Sequence, residues 1–270
     1  KQNQDSFLLS PFLGGDLGVS LFGIFDGHGR QGHLVSSFAK KVLPSIVGSK
    51  EEDGGNSGQG IPQLLSETCS ELQRLLLEQT DFDVMASGST AVIALIVDDL
   101  LFVANVGDSR AILAHARERL AIVAMSTDQT PGVKEEKERI ESHGGVVYRD
   151  EDAYTGEQGP FRVWRRDLAG PGLAMSRSIG DAIAHDVGVT ALPTVKQYEL
   201  KDSDRFLLLA TDGVWDMLEN SEVVDIAARA SEDGRGDPLS AAAQVCETAK
   251  KAWEFKETRM DDISCLLVFL

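Results

Sequence analysis

Aspartates stand at the ends of four apolar segments in this 270-residue sequence, and each segment has the composition of a buried β-strand. The four places are Asp26 (after 19–25), Asp108 (after 100–106), Asp212 (after 205–211) and Asp261-Asp262 (before 263–270). One such aspartate is usually a turn residue. Four of them, beside strands too apolar to tolerate unpaired charge, are better explained by bound cations. The pattern predicts carboxylates gathered along one edge of a sandwich.

The turn at 26–29 (Asp-Gly-His-Gly) places a carboxylate, a flexible backbone and an imidazole side by side. This set could hold a hard metal ion through oxygen atoms and leave the imidazole as a proton donor. An ordinary strand-to-helix turn is the alternative explanation of this stretch taken alone. Oxygen ligands favour magnesium or manganese, and Cys69, Cys246 and Cys265 have no metal-ligand spacing that would favour zinc or copper.

The glycines Gly27, Gly29 and Gly32 also match the spacing of the dinucleotide-binding fingerprint. That fingerprint requires a second parallel strand that ends in an acidic residue roughly 20 residues further on. Here that distance reaches Glu51 and Glu52, which lie in a polar, Gly/Ser-rich segment with no strand before it. A nucleotide-binding site is therefore not expected.

The formal net charge of −17 argues against nucleic acid or an anionic membrane as the main partner, since both attract basic surfaces. An acidic protein can still bind phosphate when divalent metals neutralise its carboxylates locally. The sequence contains no apolar run long enough to cross a membrane, and no signal peptide. The sparse, odd cysteine content indicates reduced thiols, so we expect a cytoplasmic protein, with the nucleus as a second location.

Apolar patterns predict an α+β protein with layered antiparallel sheets. The expected strands are 6–13, 19–25, 90–97, 100–106, 111–116, 120–124, 205–211 and 263–270. The expected helices are 31–47, 62–76, 131–143, 221–230 and 239–255. Asp98-Asp99 fits a tight hairpin turn. The polar segment 48–60 is typical of a surface loop, and 146–205, rich in Gly, Arg and Asp, is expected to form an irregular, flap-like excursion. No linker divides the chain, so 1–270 is expected to be one domain.

Seven segments, in order along the chain, resemble the motifs of metal-dependent serine/threonine protein phosphatases of type 2C. They are Asn3-Gln-Asp5-Ser, Phe25-Asp-Gly-His-Gly29, Ser87-Gly-Ser-Thr-Ala91, Asn105-Val-Gly-Asp-Ser-Arg110, Leu173-Ala-Met-Ser-Arg-Ser-Ile-Gly-Asp181, Asp212-Gly-Val-Trp-Asp216 and Asp261-Asp-Ile263. Each motif alone is weakly specific, but seven in the family's order are very specific. The resemblance implies a four-layer α/β/β/α sandwich that hydrolyses phosphoserine and phosphothreonine in phosphoproteins. We expect it to act as a monomer.

The resemblance also implies how the central metals would be held. Asp26 would bridge two manganese or magnesium ions, and Asp212 and Asp261 would complete the ligands of the first ion. The carbonyl of Gly27 would bind the second ion. A water between the two ions would attack phosphorus in line, without a phospho-enzyme intermediate. His28 matches the proposed general acid.

Further positions match the family with some departures. Asp108 and Asp216 match residues that hold a third, weaker ion, and Asp5 matches an acidic residue that supports the water shell of the metals. Gln4 stands where many members have glutamate, which makes one water-mediated contact to the metals neutral here. The family's phosphate-binding arginine would stand upstream of Lys1, so we expect residues before the start of this sequence. Lys1 could replace that arginine only as a point charge.

Two interpretations stay open at this stage. The alternative to an active enzyme is a catalytically silent relative that binds phosphoproteins with the same fold, although the three carboxylates of the central metal pair are intact. Arg162, Arg165 and Arg166 are interpreted as a solvated face, and a basic rim that recruits phosphopeptides is the alternative. Gln129 stands where histidine is common, which concerns the structure of a loop more than the chemistry.

Overall fold

The computed structural model describes residues 2–15, 18–52, 60–116, 120–151, 158–167, 170–232, 237–256 and 260–270. Lys1 and residues 53–59, which make up most of the predicted loop 48–60, lie outside this part of the chain.

Groups of strands alternate with one to three helices along the chain. The strands are β1 (Ser6–Ser10), β2 (Val19–Phe25), β3 (Gly27–Gly29), β4 (Ser87–Ser89), β5 (Ala91–Val97), β6 (Leu100–Val106), β7 (Arg110–His115), β8 (Ala121–Ala124), β9 (Val146–Glu151), β10 (Gln158–Trp164), β11 (Pro171–Leu173), β12 (Ile179–Gly180), β13 (Thr194–Glu199), β14 (Asp204–Ala210) and β15 (Cys265–Phe269). The helices are α1 (Gly32–Glu52), α2 (Ile61–Glu78), α3 (Lys134–Ser142), α4 (Ala182–His185), α5 (Asp212–Trp215), α6 (Asn220–Glu232) and α7 (Pro238–Lys256).

Two antiparallel sheets form the centre of the structure. The strand order is β1-β2-β5-β6-β13 in the first sheet and β15-β14-β7-β8 in the second. The predicted hairpin at Asp98-Asp99 is confirmed, since Val97 pairs with Leu100 and Asp98 turns the chain with a φ of 52°. A smaller sheet, in the order β12-β4-β3, continues from the end of β2.

Three apolar clusters show how these sheets are layered. One lies between α1, α2 and the first sheet and contains Leu72 and Phe102. Another joins α6 and α7 to the second sheet, for example at Val245. The third contains residues of both sheets, among them Ile24 and Leu209, because successive side chains of each strand point to opposite faces. This arrangement confirms the predicted α/β/β/α sandwich.

The four long helices lie close to their predicted positions. In α1 the fully buried residues Val35, Ala39 and Leu43 recur at helical spacing and face the first sheet. This helix continues to Glu52, five residues beyond the predicted end, and so includes the start of the predicted loop. Within the described residues, none of the helices combines the length and the apolar character needed to span a bilayer.

The expectation that 146–205 is irregular is wrong for a large part of the residues described there, since β9 to β13 and α4 lie in this range, whereas stretches such as 186–193 contain no strand. Strands β9, β10 and β11 form a three-stranded antiparallel sheet, here called the flap sheet, in the order β11-β10-β9. It packs on its own small apolar cluster, which includes Val147 and Val163. Farther on, β13 joins the edge of the first sheet beside β6. These strands are short or polar, so they do not produce the long apolar runs that predicted the central strands.

Candidate active site

A cavity of about 830 Å³ lies where β2, β6 and β14 end. Every residue predicted for the site lines this cavity except Asp5. The aspartates in its lining are Asp26, Asp108, Asp128, Asp181, Asp212, Asp216 and Asp261. The sandwich therefore brings together carboxylates from segments more than 200 residues apart in the sequence.

Asp26 is held at the end of β2 by hydrogen bonds to its backbone. The N–H of Asp26 donates to Thr90 Oγ1 (3.0 Å), and the N–H of Thr90 donates to the carbonyl of Asp26 (2.9 Å). Thr90 is in turn hydrogen-bonded to the buried Ser109 hydroxyl (2.7 Å). Burial, together with the nearby Asp212 and Asp5, raises the pKa of Asp26 well above its ordinary value.

The neighbouring carboxyl groups of Asp212 and Asp108 also have raised pKa values. Burial, followed by repulsion from Asp108, raises the pKa of Asp212 to about 8. Burial also raises the pKa of Asp108 to about 6, with Asp128 adding to the effect. Placing this many carboxyl groups around one cavity is unfavourable unless they are protonated or share cations.

The donor set fits divalent cations. In the described part of the chain, Oδ1 of Asp5, Asp108 and Asp212 is buried without a hydrogen-bond partner, which is costly for a carboxylate oxygen. Carboxylate and carbonyl oxygens suit magnesium or manganese. Among these described residues, no three His, Cys, Asp or Glu side chains are already drawn together as a closed metal-binding group.

The remaining predicted carboxylates differ in their surroundings. Asp216, at the C-terminal end of α5, and Asp261 are exposed at the cavity surface. Burial raises the pKa of Asp216, while the nearby Lys256 lowers it. Asp5 does not line the cavity; its Oδ2 accepts a hydrogen bond from Thr211 Oγ1 (3.1 Å) at the start of α5. Burial raises the pKa of Asp5 to about 6.

Gly27 occupies a place that only glycine fits. A Cβ atom there would collide with the carbonyl oxygens of Gly32 and Gln4. Gln4 also ties the start of the chain to the site, since its Nε2 donates to the carbonyl of Gly29 (2.8 Å) and its N–H donates to Asp262 Oδ2 (3.0 Å). A glutamate at position 4 could not donate the first of these bonds.

His28 is paired with Asp181, a contact that the sequence interpretation missed. The His28 Nε2 atom donates to Asp181 Oδ2 at 2.5 Å, and the two side chains are 20% and 3% exposed. Burial lowers the pKa of His28, but the Asp181 carboxylate, together with Asp108 and Asp212, outweighs burial, and the resulting pKa is raised. Among the described residues, the His28 Nδ1 atom has no hydrogen-bond partner.

Asp181 reaches His28 through a backbone that is locked in place. It has a left-handed conformation (φ 44°, ψ 48°), which is unfavourable for a residue with a side chain. The preceding residue, Gly180, donates to Gln73 Oε1 (2.7 Å) and accepts from Gln73 Nε2 (2.9 Å), so a buried side chain of α2 clamps it. Gly88, opposite His28 in the β3–β4 pair, leaves room for the carboxylate, because a Cβ there would collide with it.

The acidic cavity at the edge of an α/β/β/α sandwich places the protein in the class of sandwich proteins with a carboxylate site suited to divalent metals. The profile of the Protein phosphatase 2C family matches residues 1–253. The chain belongs to this family, whose members are metal-dependent serine/threonine phosphatases.

Similar proteins support the same family assignment, and a solved structure supports the fold. "Probable protein phosphatase 2C 72" of Arabidopsis thaliana is 38% identical over 278 residues, covering 99% of this chain and 81% of that protein. "Probable protein phosphatase 2C 48" of Oryza sativa subsp. japonica is 37% identical over 290 residues, covering 99% and 80%. A serine-threonine phosphatase 2C from Toxoplasma gondii has the same fold, with a TM-score of 0.82, 23% identity and coverage of 100% of this chain and 90% of that one.

Proposed function

We propose that this chain hydrolyses phosphoserine and phosphothreonine in phosphoproteins with two divalent cations, manganese or magnesium. Asp26 would contact both ions, Asp212 and Asp261 the first, and the carbonyl of Gly27 the second. The observation that carries the proposal is the gathering of seven aspartates around one cavity, where Oδ1 of Asp108 and Asp212 is buried without a hydrogen-bond partner among the described residues. When bound, such cations lower the pKa of a water to supply a nucleophile and offset charge on the phosphoryl oxygens.

The other carboxylates have supporting roles in this proposal. Asp108 and Asp216 would hold a third, weaker ion, in keeping with the exposed position of Asp216. Asp5 does not line the cavity, and its pKa is raised mainly by burial, with Asp262 adding to the effect. It would act through water or through Thr211 rather than as a direct ligand.

His28 is proposed as the acid that protonates the leaving serine or threonine oxygen. Because Nε2 is bonded to Asp181, the proton to be transferred would be on Nδ1. This atom is out of contact with solvent, so transfer requires the substrate to close on His28 or the imidazole to turn away from Asp181. Asp181 would stabilise the charged imidazole and set its orientation.

The experiment that tests this function measures phosphate release from a phosphothreonine peptide. We expect turnover with manganese, none after excess chelator, and recovery when manganese is added back. Turnover that persists after exhaustive chelation would contradict the metal-dependent mechanism. Binding of the peptide without any turnover at saturating manganese would support a silent phosphoprotein-binding relative instead.

A further inference from the structure

Two arginines of the flap sheet, Arg149 on β9 and Arg162 on β10, line the same cavity as the metal-binding aspartates. Among the described residues in that lining they are the two arginines, and no lysine accompanies them. The other ionisable lining residues are His28 and the seven aspartates named above. The cavity therefore has an anionic part supplied by the sandwich and a cationic part supplied by the flap sheet.

Neutral groups orient both guanidinium groups. Arg162 donates from Nη1 to the carbonyl of Gly172 (2.7 Å). Arg149 donates from Nη1 to Gln158 Oε1 (2.8 Å), and its Cζ atom lies 4.1 Å from the centre of the Phe161 ring. Such partners fix a guanidinium group without cancelling its charge.

Carboxylates do not neutralise these two arginines among the side chains that the structure describes. Arg110 provides the contrast, because it forms a salt bridge of 2.6 Å with Asp128, another residue of the cavity lining. Among the described residues, therefore, no ion pair with an aspartate offsets the charge of Arg149 or Arg162, although seven aspartates line the cavity. Once cations neutralise those aspartates, the two guanidinium groups would attract an anion.

We propose that Arg149 and Arg162 form a subsite for an anionic group of the substrate peptide near the phosphorylated residue. A guanidinium group pairs well with a carboxylate or a phosphate, so the group would be an Asp or Glu side chain or a second phosphate. The reacting phosphate would be bound by the cations of the proposed function, on which this inference rests. Arg165 and Arg166, considered with Arg162 as one basic rim, are exposed and lie outside the described lining of the cavity.

The test compares phosphothreonine peptides that differ only in their flanks: neutral, acidic (Asp/Glu) and doubly phosphorylated. For the unaltered chain with manganese we expect kcat/KM to be roughly 10-fold higher for an anionic flank than for the neutral one. The difference should lie in KM and shrink at high salt, because the arginines are partly solvent-exposed. The acidic and doubly phosphorylated arms show which anion the subsite prefers.

The double variant Arg149→Gln/Arg162→Gln should bring the acidic and neutral peptides to equal kcat/KM. Arg165→Gln is the matched control, since Arg165 is exposed, lies near Asp167 (3.8 Å) and does not line the cavity; it should keep the preference. Arg162→Lys retains the positive charge but not the planar guanidinium group that pairs with two oxygens, so this variant should keep part of the preference for the acidic flank. Thermal midpoints of all variants check that each is folded.

Three results would overturn the subsite. The unaltered chain could show no preference for anionic flanks, or Arg165→Gln could abolish the preference as fully as the double variant does. A parallel loss on p-nitrophenyl phosphate, which has no flanking residues, would place the arginines on the reacting phosphate instead. Failure of the proposed function is distinguishable from all three, because the unaltered chain would then hydrolyse none of the peptides.

Discussion

Replacing Asp212 by asparagine should stabilise the metal-free protein, and the gain should increase with pH. Burial and the repulsion from Asp108 raise the pKa of Asp212 from 3.8 to about 8. A carboxyl group with a higher pKa in the folded than in the unfolded state favours folding while it holds its proton. That contribution is complete below pH 3.8 and is lost as the pH rises through about 8.

The size of the gain follows from the same pKa difference. One pKa unit corresponds to about 1.4 kcal/mol, so ionising Asp212 costs the metal-free folded state at most about 6 kcal/mol. Asp26 and Asp108 share the repulsion, so removal of one carboxylate relieves only part of it. We expect a gain of about 2–4 kcal/mol at pH 8 and less than about 1 kcal/mol at pH 4. Asparagine keeps the size of the side chain and removes its charge.

Urea unfolding with chelator present, between pH 4 and pH 8, measures this effect. Asp202→Asn is the control, because Asp202 is exposed in a turn outside the cavity. Manganese should reverse the order of stability of the two proteins. It stabilises the unaltered protein by binding to its folded state, whereas the Asp212→Asn variant lacks one of the metal ligands and gains less. A variant that is less stable than the unaltered protein at pH 8 without metal would refute the reasoning. A gain that does not change with pH would refute it too.

Three further substitutions test the roles assigned within the site. Asp26→Ala should abolish turnover at every manganese concentration, whereas Asp108→Ala should mainly raise the manganese needed for half-maximal phosphate release; the opposite ranking would contradict the assignment of the ions. His28→Gln should lower kcat on the order of 10²-fold for a phosphoserine peptide but far less for p-nitrophenyl phosphate, whose leaving group needs no proton; equal losses would exclude an acid role. Asp181→Asn should lower the peptide kcat by roughly 10-fold and add little to His28→Gln, since residues that act as a unit are non-additive. Fully additive losses in the double variant would show that Asp181 acts independently of His28.

The central part of the site could be predicted because its residues follow strongly apolar strands. A buried strand such as 205–211 is recognised from its composition, and the aspartate at its end must lie at an edge of the sheet. Asp26, Asp108 and Asp212 were placed together on that argument, and the structure brings all three to one cavity. The assignment of individual ions to them remains a prediction.

The contacts that the sequence did not predict are long-range and polar. Asp181 lies 153 residues from His28, and Gln73 lies 107 residues from Gly180. Neither pairing produces a local pattern, because an aspartate after glycine and a glutamine on a helix have many ordinary explanations. The left-handed backbone at Asp181 is visible only in the folded chain.

The flap sheet and β13 were missed for a different reason. The flap strands pack on a small cluster of their own, and β13 exposes most of its side chains at a sheet edge. Such strands need few apolar residues, so their sequences resemble loops rich in Gly, Arg and Asp. Because the flap strands were not predicted, the positions of Arg149 and Arg162 in the cavity lining were not predicted either.

The number of manganese ions bound per chain, and its dependence on Asp26, tests the central claim most directly. Calorimetric titration of the metal-free protein should show two tighter sites, and a third, weaker one at higher manganese concentration. Because Asp26 is proposed to contact both central ions, Asp26→Ala should weaken both tight sites together. Two tight sites with unchanged affinity in Asp26→Ala would contradict the account, even if the variant were inactive.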